Sequence, residues 1–276
     1  MNPAQGDPEP LTVSWLKAGA GGWEFAGWTE RTMPNLHVMR SHEEASRTAA
    51  QLVADLSARC LASRGSFSIA LSGGATPRLL YDILASPPYL ATIGWDGWRV
   101  FWGDERCVPP DHEDSNYRMA KESLLDLVPV PAANVHRMQG ESVPHVAAQD
   151  YEELLKGVFR SPEPSFDLIL LGIGDDGHTA SLFPGTLALA ERSRLVLHNW
   201  VPDQQDYRVT FTLPLINAAR MIAFLVTDES KAEVLRRVLE AAPGEPVLPA
   251  TLVRPSTSAV HWFLTQDAAR LLGAQS

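Results

Sequence analysis

His178 is the residue of this sequence whose type and position most directly indicate chemistry. It follows the glycine-rich segment 172–177, and Asp176 stands two positions before it. A neutral imidazole can take a proton from water near neutral pH, and a neighbouring carboxylate can orient it. We also expect a helix to begin near His178, whose positive end would keep the imidazole neutral. A histidine that only caps or packs a turn is the alternative.

The same segment formally matches the dinucleotide-binding pattern G-x-G-x-x-G after a strand. Three observations argue against that function. The pair Pro184-Gly185 would end the helix that the pattern requires, and the next predicted strand runs into Asn199 instead of an acidic residue. The segment also lies far along the chain, whereas the pattern usually occurs in the first β–α–β unit of a nucleotide-binding domain. Proton transfer by His178 therefore has the better support.

A second candidate segment, 72–77, has the composition of a phosphate-binding loop. Gly73 and Gly74 let the backbone approach a ligand closely, and the helix predicted behind them offers unpaired N–H groups at its positive end. The hydroxyl groups of Ser72 and Thr76 would add donors. A tight strand-to-helix turn capped by Thr76, without a ligand, is the alternative.

Charged side chains supply the remaining candidates. Asp104 and Arg106, in the segment 103–106, have the chemistry to position water or sugar hydroxyls and to grip an anion. Arg208 lies at the head of a predicted strand, and Lys231 lies in the first turn of a predicted helix, where a cation opposes the helix dipole. Ordinary solvated or structural charges are the alternative at each position.

Alternating strands and helices must position these residues. Apolar strands are predicted at 67–71, 98–102 and 166–171, and each ends at one of the three candidate segments. Later strands are predicted at 194–198, 207–212, 220–226 and 259–264, with helices behind Ser41 and at 115–125, 146–159 and 229–240. This pattern predicts an α/β fold with a mostly parallel, doubly wound sheet flanked by helices. Ligands bind at the carboxyl ends of such strands, so we expect the three segments to share one crevice.

Composition narrows the classes of function. The 276 residues carry a formal net charge of −10, which disfavours nucleic-acid binding. The sequence has two cysteines, no metal-ligand spacing, no signal peptide and no apolar run of transmembrane length. We therefore expect a cytoplasmic protein without membrane contact. We also expect one α/β domain over residues 36–276, preceded by an extension, residues 1–35, whose order the composition does not decide.

Four runs of residues together resemble one enzyme family. They are 71–77, 103–111 with 114–117, 135–138 with 140–141, and 174–185, and the last contains D-G-H-T-A-S-L-F-P. In these runs the chain resembles the 6-phosphogluconolactonases, whose superfamily also contains glucosamine-6-phosphate deaminase and ribose-5-phosphate isomerase. Asp175 stands where the family usually has glutamate. The resemblance covers roughly residues 36–276. It implies a Rossmann-like fold, no metal or other cofactor, and hydrolysis of 6-phosphogluconolactone to 6-phosphogluconate in the oxidative pentose phosphate pathway.

The resemblance also implies roles for the candidate residues. His178 would be the general base, with Asp176 beside it, and a sugar-phosphate lactone would be the substrate. Eight residues would hold the phosphate or the ring: Ser72, Gly73, Gly74, Thr76, Asp104, Arg106, Arg208 and Lys231. One alternative is an amino-sugar-phosphate deaminase or isomerase, in which Asp104 would be the base. The other is a non-catalytic sugar-phosphate-binding protein. The expected state is a monomer or a small homo-oligomer.

Overall fold

Two sheets form the framework of the protein. The computed structural model describes residues 34–241, 244–255 and 259–273. Within those residues the strands, in chain order, are β1 (Asn35–Met39), β2 (Phe67–Leu71), β3 (Trp98–Trp102), β4 (Asp104–Arg106), β5 (Leu168–Leu171), β6 (Val196–Val201), β7 (Asp206–Phe211), β8 (Met221–Val226) and β9 (Ala259–Thr265). The central sheet is parallel throughout, in the order β1-β9-β8-β5-β2-β3. β4, β7 and β6 form a smaller antiparallel sheet.

Helices connect the strands. The α-helices are α1 (His42–Arg64), α2 (Ala75–Leu84), α3 (Tyr89–Thr92), α4 (Asn116–Ala120), α5 (Pro144–Phe159), α6 (Leu213–Asn217), α7 (Ala232–Leu239) and α8 (Gln266–Ala269). A π-helical turn, Lys121–Leu125, continues α4. Short 3₁₀ helices occupy Trp95–Gly97, Ala132–Asn134, Leu187–Ala190, Pro202–Gln204, Glu229–Lys231 and Pro249–Leu252.

Apolar side chains on both faces of the central sheet explain why helices cover both faces. Every residue of β2 is buried, and its side chains alternate between the two hydrophobic clusters, as the pleat of a strand requires. Ile69 packs in the cluster that contains buried residues of α1 and α2, whereas Ala70 packs in the cluster that contains those of α5 and α7. The expectation of a mostly parallel sheet flanked by helices is confirmed.

The ends of α1 and α4 follow local rules. Ser41 accepts a hydrogen bond from the backbone N–H of Glu44 at the start of α1, and Gly65 ends that helix with a left-handed φ of 68°. Ser115 caps α4 in the same way, by accepting from the N–H of Arg118. These caps agree with the helix starts expected from the sequence.

The antiparallel sheet differs from the expectation. The sequence predicts a turn at 103–106, but these residues include β4, which pairs with β7 so that Arg106 lies opposite Arg208. The strands predicted at 194–198 and 207–212 are β6 and β7, and neither joins the central sheet. The helix predicted at 229–240 begins with the 3₁₀ turn Glu229–Lys231 before α7. Of the proposed extension, residues 1–33 lie outside the described residues, and Asn35 belongs to β1.

Candidate active site

A cleft of about 320 Å³ lies at the carboxyl end of the central sheet. The loops that follow β2, β3, β5 and β8 line it. In the central sheet β3 lies on one side of β2, and the next strand of this sheet along the chain, β5, lies on the other side. The strand order therefore reverses between β2 and β5, and the cleft lies at this topological switch point. Its wall includes the predicted site residues Ser72, Gly73, Gly74, Thr76, Asp104, Arg106, His178 and Lys231. The three segments do share one crevice.

The carboxylate of Asp176 holds the His178 ring. His178 Nδ1 lies 2.6 Å from Asp176 Oδ1, and the backbone N–H of His178 donates to the same oxygen at 3.0 Å. We assign the ring proton to Nδ1, because a carboxylate accepts hydrogen bonds, which leaves Nε2 to take a proton from water. Asp176 itself does not line the cleft. The carboxylate is therefore placed to act through the imidazole.

The expectation that a helix begins near His178 is wrong. Residues 172–186, all of them described, form turns and a short antiparallel bridge between Thr179 and Leu182. Ala180, between them, has a left-handed φ of 47°. Pro184 cannot donate the N–H bond that a helix from His178 would need, and it disfavours helical geometry at the residue before it. Since no helix starts at His178, no helix dipole acts on the imidazole, whose ring nitrogen Nδ1 instead contacts Asp176.

The side chains of Tyr81 and Asn116 fix the backbone of the loop after β2. The Tyr81 hydroxyl donates to the carbonyl of Ser72 at 2.8 Å and accepts from its N–H at 3.1 Å. A Cβ atom on Gly73 would lie 1.7 Å from Asn116 Oδ1, so only glycine fits there. α2 begins after Gly74 without a side-chain cap, which leaves its first N–H groups open toward the cleft. These features suit a bound phosphate.

Asp104 joins the loop after β3 to the other two loops. Its Oδ2 accepts a hydrogen bond from the Ser181 hydroxyl at 2.6 Å, and its carbonyl accepts from Asn116 Nδ2 at 2.9 Å. The same Asn116 side chain fills the space beside Gly73. Asp104 is therefore fixed in the cleft wall. Ser181 carries no signal of this role in the sequence beyond its place in the D-G-H-T-A-S-L-F-P run.

Glu105 points away from the cleft and anchors the same loop. The buried carboxylate accepts from the backbone N–H groups of Arg106, Asn116 and Tyr117, each at 2.8 Å, and from the Ser115 hydroxyl at 3.1 Å. Burial raises the pKa of the Glu105 carboxyl, and the backbone hydrogen bonds oppose that shift. The alternation of side chains along β4 separates Glu105 from Asp104 and Arg106, both of which line the cleft.

The three predicted cations occupy different surroundings. Arg106 lines the cleft and donates to the carbonyl of Asp114, and Lys231 lines it while its ammonium is paired with the exposed Asp175. Arg208 does not line the cleft. Its mostly buried guanidinium bonds to Asp206 and to Gln204, although the strand pairing places Arg208 directly beside Arg106. Arg106 and Lys231 thus face the space a ligand would occupy.

Two general features of the described part of the chain bear on the class of protein. Its residues contain no group of three or more histidine, cysteine, aspartate or glutamate side chains that could hold a metal ion. None of its helices is long and apolar enough to cross a membrane.

The fold and this site belong to a known class of sugar-phosphate enzymes. The family model of the glucosamine-6-phosphate isomerases/6-phosphogluconolactonase matches residues 40–262, and the chain belongs to this family. A curated relative from Homo sapiens, named 6-phosphogluconolactonase, is 42% identical over 246 residues, which cover 86% of this chain and 93% of the relative. A relative of the same name from Synechocystis is 44% identical over 214 residues, covering 76% of this chain and 86% of the relative.

A solved structure supports the same assignment. The 6-phosphogluconolactonase from Trypanosoma cruzi superposes with a TM-score of 0.80 at 29% identity, and the match covers 89% of this chain and all of the other. The family expected from the sequence motifs is therefore confirmed.

Proposed function

We propose that this protein hydrolyses 6-phosphogluconolactone to 6-phosphogluconate, the lactonase step of the oxidative pentose phosphate pathway, with His178 as general base. The observation that carries the proposal is the Asp176–His178 pair, whose imidazole shares one cleft with the glycine loop and with Arg106. The names of the relatives support the substrate. The site residues rest on the geometry of the cleft and on the sequence motifs.

The phosphate group would bind first and orient the reacting carbonyl. Backbone N–H groups of the loop 72–76 and the Lys231 ammonium supply donors and charge for a phosphate. Energy from binding the distant phosphate then places the lactone carbon near His178. The oxygens of Asp104 can accept hydrogen bonds from the ring hydroxyls.

Hydrolysis then needs one base and one proton donor, and His178 serves as both. Nε2 removes a proton from water while the water oxygen bonds to C1, and the carbonyl electrons move to the oxygen. Arg106 or backbone N–H groups stabilise that oxyanion. When the carbonyl re-forms, the bond from C1 to the ring oxygen breaks, and the imidazolium returns its proton to that oxygen. Asp176 stabilises the transient imidazolium through Nδ1.

Two other functions make different predictions. A deaminase or isomerase would use a carboxylate such as Asp104 as base, but here that carboxylate is bonded to Ser181. A non-catalytic sugar-phosphate sensor would need neither the Asp176–His178 contact nor a water-accessible Nε2. The lactonase fits the arrangement better than either alternative.

We further propose that the protein acts in the cytoplasm, as a monomer or small homo-oligomer, on a small molecule and without nucleic acid. The acidic net charge supports the last point.

One assay distinguishes these functions. Lactone freshly made by glucose-6-phosphate dehydrogenase is followed at mildly acidic pH, where uncatalysed hydrolysis is slow, with and without the protein. The proposal expects saturable acceleration and no ammonia release from glucosamine 6-phosphate. Ammonia release without lactone turnover would identify a deaminase, and binding of 6-phosphogluconate without turnover would identify a sensor.

A further inference from the structure

The face of the His178 imidazole is covered by an aromatic ring. The ring centroids of Phe183 and His178 are 4.1 Å apart and their planes differ by 25°, which is a stacked arrangement. Phe183 is 8% exposed and does not line the cleft. A ligand in the cleft would therefore meet His178 and not Phe183.

Phe183 is buried, but it packs outside the two hydrophobic clusters. Neither of the two hydrophobic clusters of the described residues includes Phe183. Its backbone is fixed by Thr186, whose hydroxyl donates to the Phe183 carbonyl at 2.8 Å, and Asn199 on β6 donates to the Thr186 hydroxyl at 3.0 Å. Asn199 also donates to the carbonyl of Ser181 at 2.9 Å. The turn that carries the phenyl ring is thus held to a strand of the antiparallel sheet.

The edge of the imidazole lies against the backbone of Gly174. A Cβ atom there would lie 2.0 Å from His178 Nδ1 and 2.1 Å from Cε1, so the ring occupies the space that any side chain at Gly174 would need. Asp176 fixes Nδ1, Phe183 covers a face and Gly174 makes room for the edge. The terminal torsion of a histidine is otherwise broad, so these contacts select one ring orientation.

We infer that Phe183 is a positioning residue, which holds the imidazole plane so that Nε2 stays directed into the cleft during proton transfer. This inference rests on the proposed role of His178. A base that is displaced by a fraction of an ångström loses rate without losing substrate affinity. The energy of an aromatic pair is equivalent to about a tenfold change in rate, which is the upper limit of the effect expected from losing the contact.

The test compares Phe183→Leu, which keeps an apolar side chain but loses the ring, with Phe183→Tyr, which restores the ring. We expect Phe183→Leu to lower kcat about tenfold with KM within twofold, and Phe183→Tyr to return kcat to within threefold of wild type. Phe159→Leu, which removes a ring packed against the core at the end of α5, is the matched control and should leave kcat unchanged. If Phe183→Leu does not fold, Phe183→Met takes its place.

A spectroscopic signal reports whether an aromatic ring is stacked on His178. The ring current of a stacked ring shifts the carbon-bound protons of the imidazole upfield, so this shift should be present in wild type and in Phe183→Tyr. Phe183→Leu, which has no ring, gives the unshifted reference. A wild-type kcat in Phe183→Leu, or a tenfold loss that Phe183→Tyr does not restore, overturns the inference. His178→Asn is measured alongside. If it keeps wild-type kcat, the proposed base fails, whereas an inactive His178→Asn beside a fully active Phe183→Leu removes only the inference about Phe183.

Discussion

At the carboxyl end of the central sheet, charged and polar side chains line an open cleft, whereas at the amino end a buried carboxylate is enclosed by the groups that bond to it. Asp167, just before β5, is 7% exposed, and its Oδ2 accepts from the N–H and the hydroxyl of Ser68, each at 3.0 Å. Its Oδ1 is paired with the Arg64 guanidinium. By contrast, Lys231 and Arg106 at the carboxyl end line the cleft, and their present partners are the exposed Asp175 and the carbonyl of Asp114.

This difference indicates which charged groups stabilise the fold and which are available for function. A buried carboxylate whose oxygens are all satisfied by the protein has no capacity left for a substrate. A cleft lined by loops leaves cations, hydroxyls and N–H groups available to a ligand. Substitutions at the amino end should therefore change the free energy of unfolding, and substitutions at the carboxyl end should change catalysis.

The largest effect on stability is expected from Asp167→Ala. It leaves the buried Ser68 groups and Arg64 without their acceptor, and we expect the free energy of unfolding to fall by about 3 kcal/mol in urea titrations. The kcat of the folded protein should stay within twofold. Arg220→Gln is the control, since this side chain is 60% exposed and lies 3.4 Å from Asp167, and it should change stability by less than about 0.5 kcal/mol. If Asp167→Ala lowers kcat more than tenfold, the claim that the amino end affects stability and not catalysis is contradicted.

At the opposite end, Gly73→Ala should damage catalysis more than folding. The added Cβ would overlap the Asn116 amide and displace the loop that faces the phosphate, so we expect kcat/KM to fall about hundredfold. Gly157→Ala, in α5, is the matched control because its Cβ would meet nothing within 4 Å. It should leave kcat/KM unchanged. Equal kcat/KM in both variants would show that the loop 72–76 does not contact the substrate.

A smaller effect concerns the pH dependence of stability at a pair of histidines that do not line the cleft. His37 Nε2 and His261 Nδ1 are 3.0 Å apart, and burial, with a smaller contribution from His37, lowers the pKa of His261 to about 4. In the unfolded chain this histidine takes up a proton near pH 6.5. The stability that depends on neutral His261 is therefore fully present above that pH and is lost as the pH falls toward 4. Between pH 7 and pH 4.5, His261→Phe should lose about 2 kcal/mol less than wild type in urea titrations. Parallel losses in both proteins would refute this origin of the acid sensitivity.

Much of the fold and site follows from local sequence patterns. The strand before each candidate segment is a short apolar run, and glycines after β2 and β5 mark sharp turns, so the convergence of His178, Asp104 and Ser72 at one edge could be predicted. The family motifs added the assignment of roles.

Other features depend on contacts between distant residues. β4 consists of three charged residues, which give no strand signal, and forms because β7 pairs with it. Glu105 is buried because the start of α4 presents N–H groups to it. The helix expected at His178 fails because Pro184 and the Thr179–Leu182 bridge favour a turn, and that same turn brings Phe183 onto the imidazole.

The most direct test of the account is the kcat of His178→Asn for 6-phosphogluconolactone, measured beside wild type at mildly acidic pH after subtraction of uncatalysed hydrolysis. Binding of 6-phosphogluconate by the same variant serves as the control for an intact cleft. We predict that kcat falls about a thousandfold while product affinity stays within threefold. A kcat within threefold of wild type would contradict the assignment of His178 as the base.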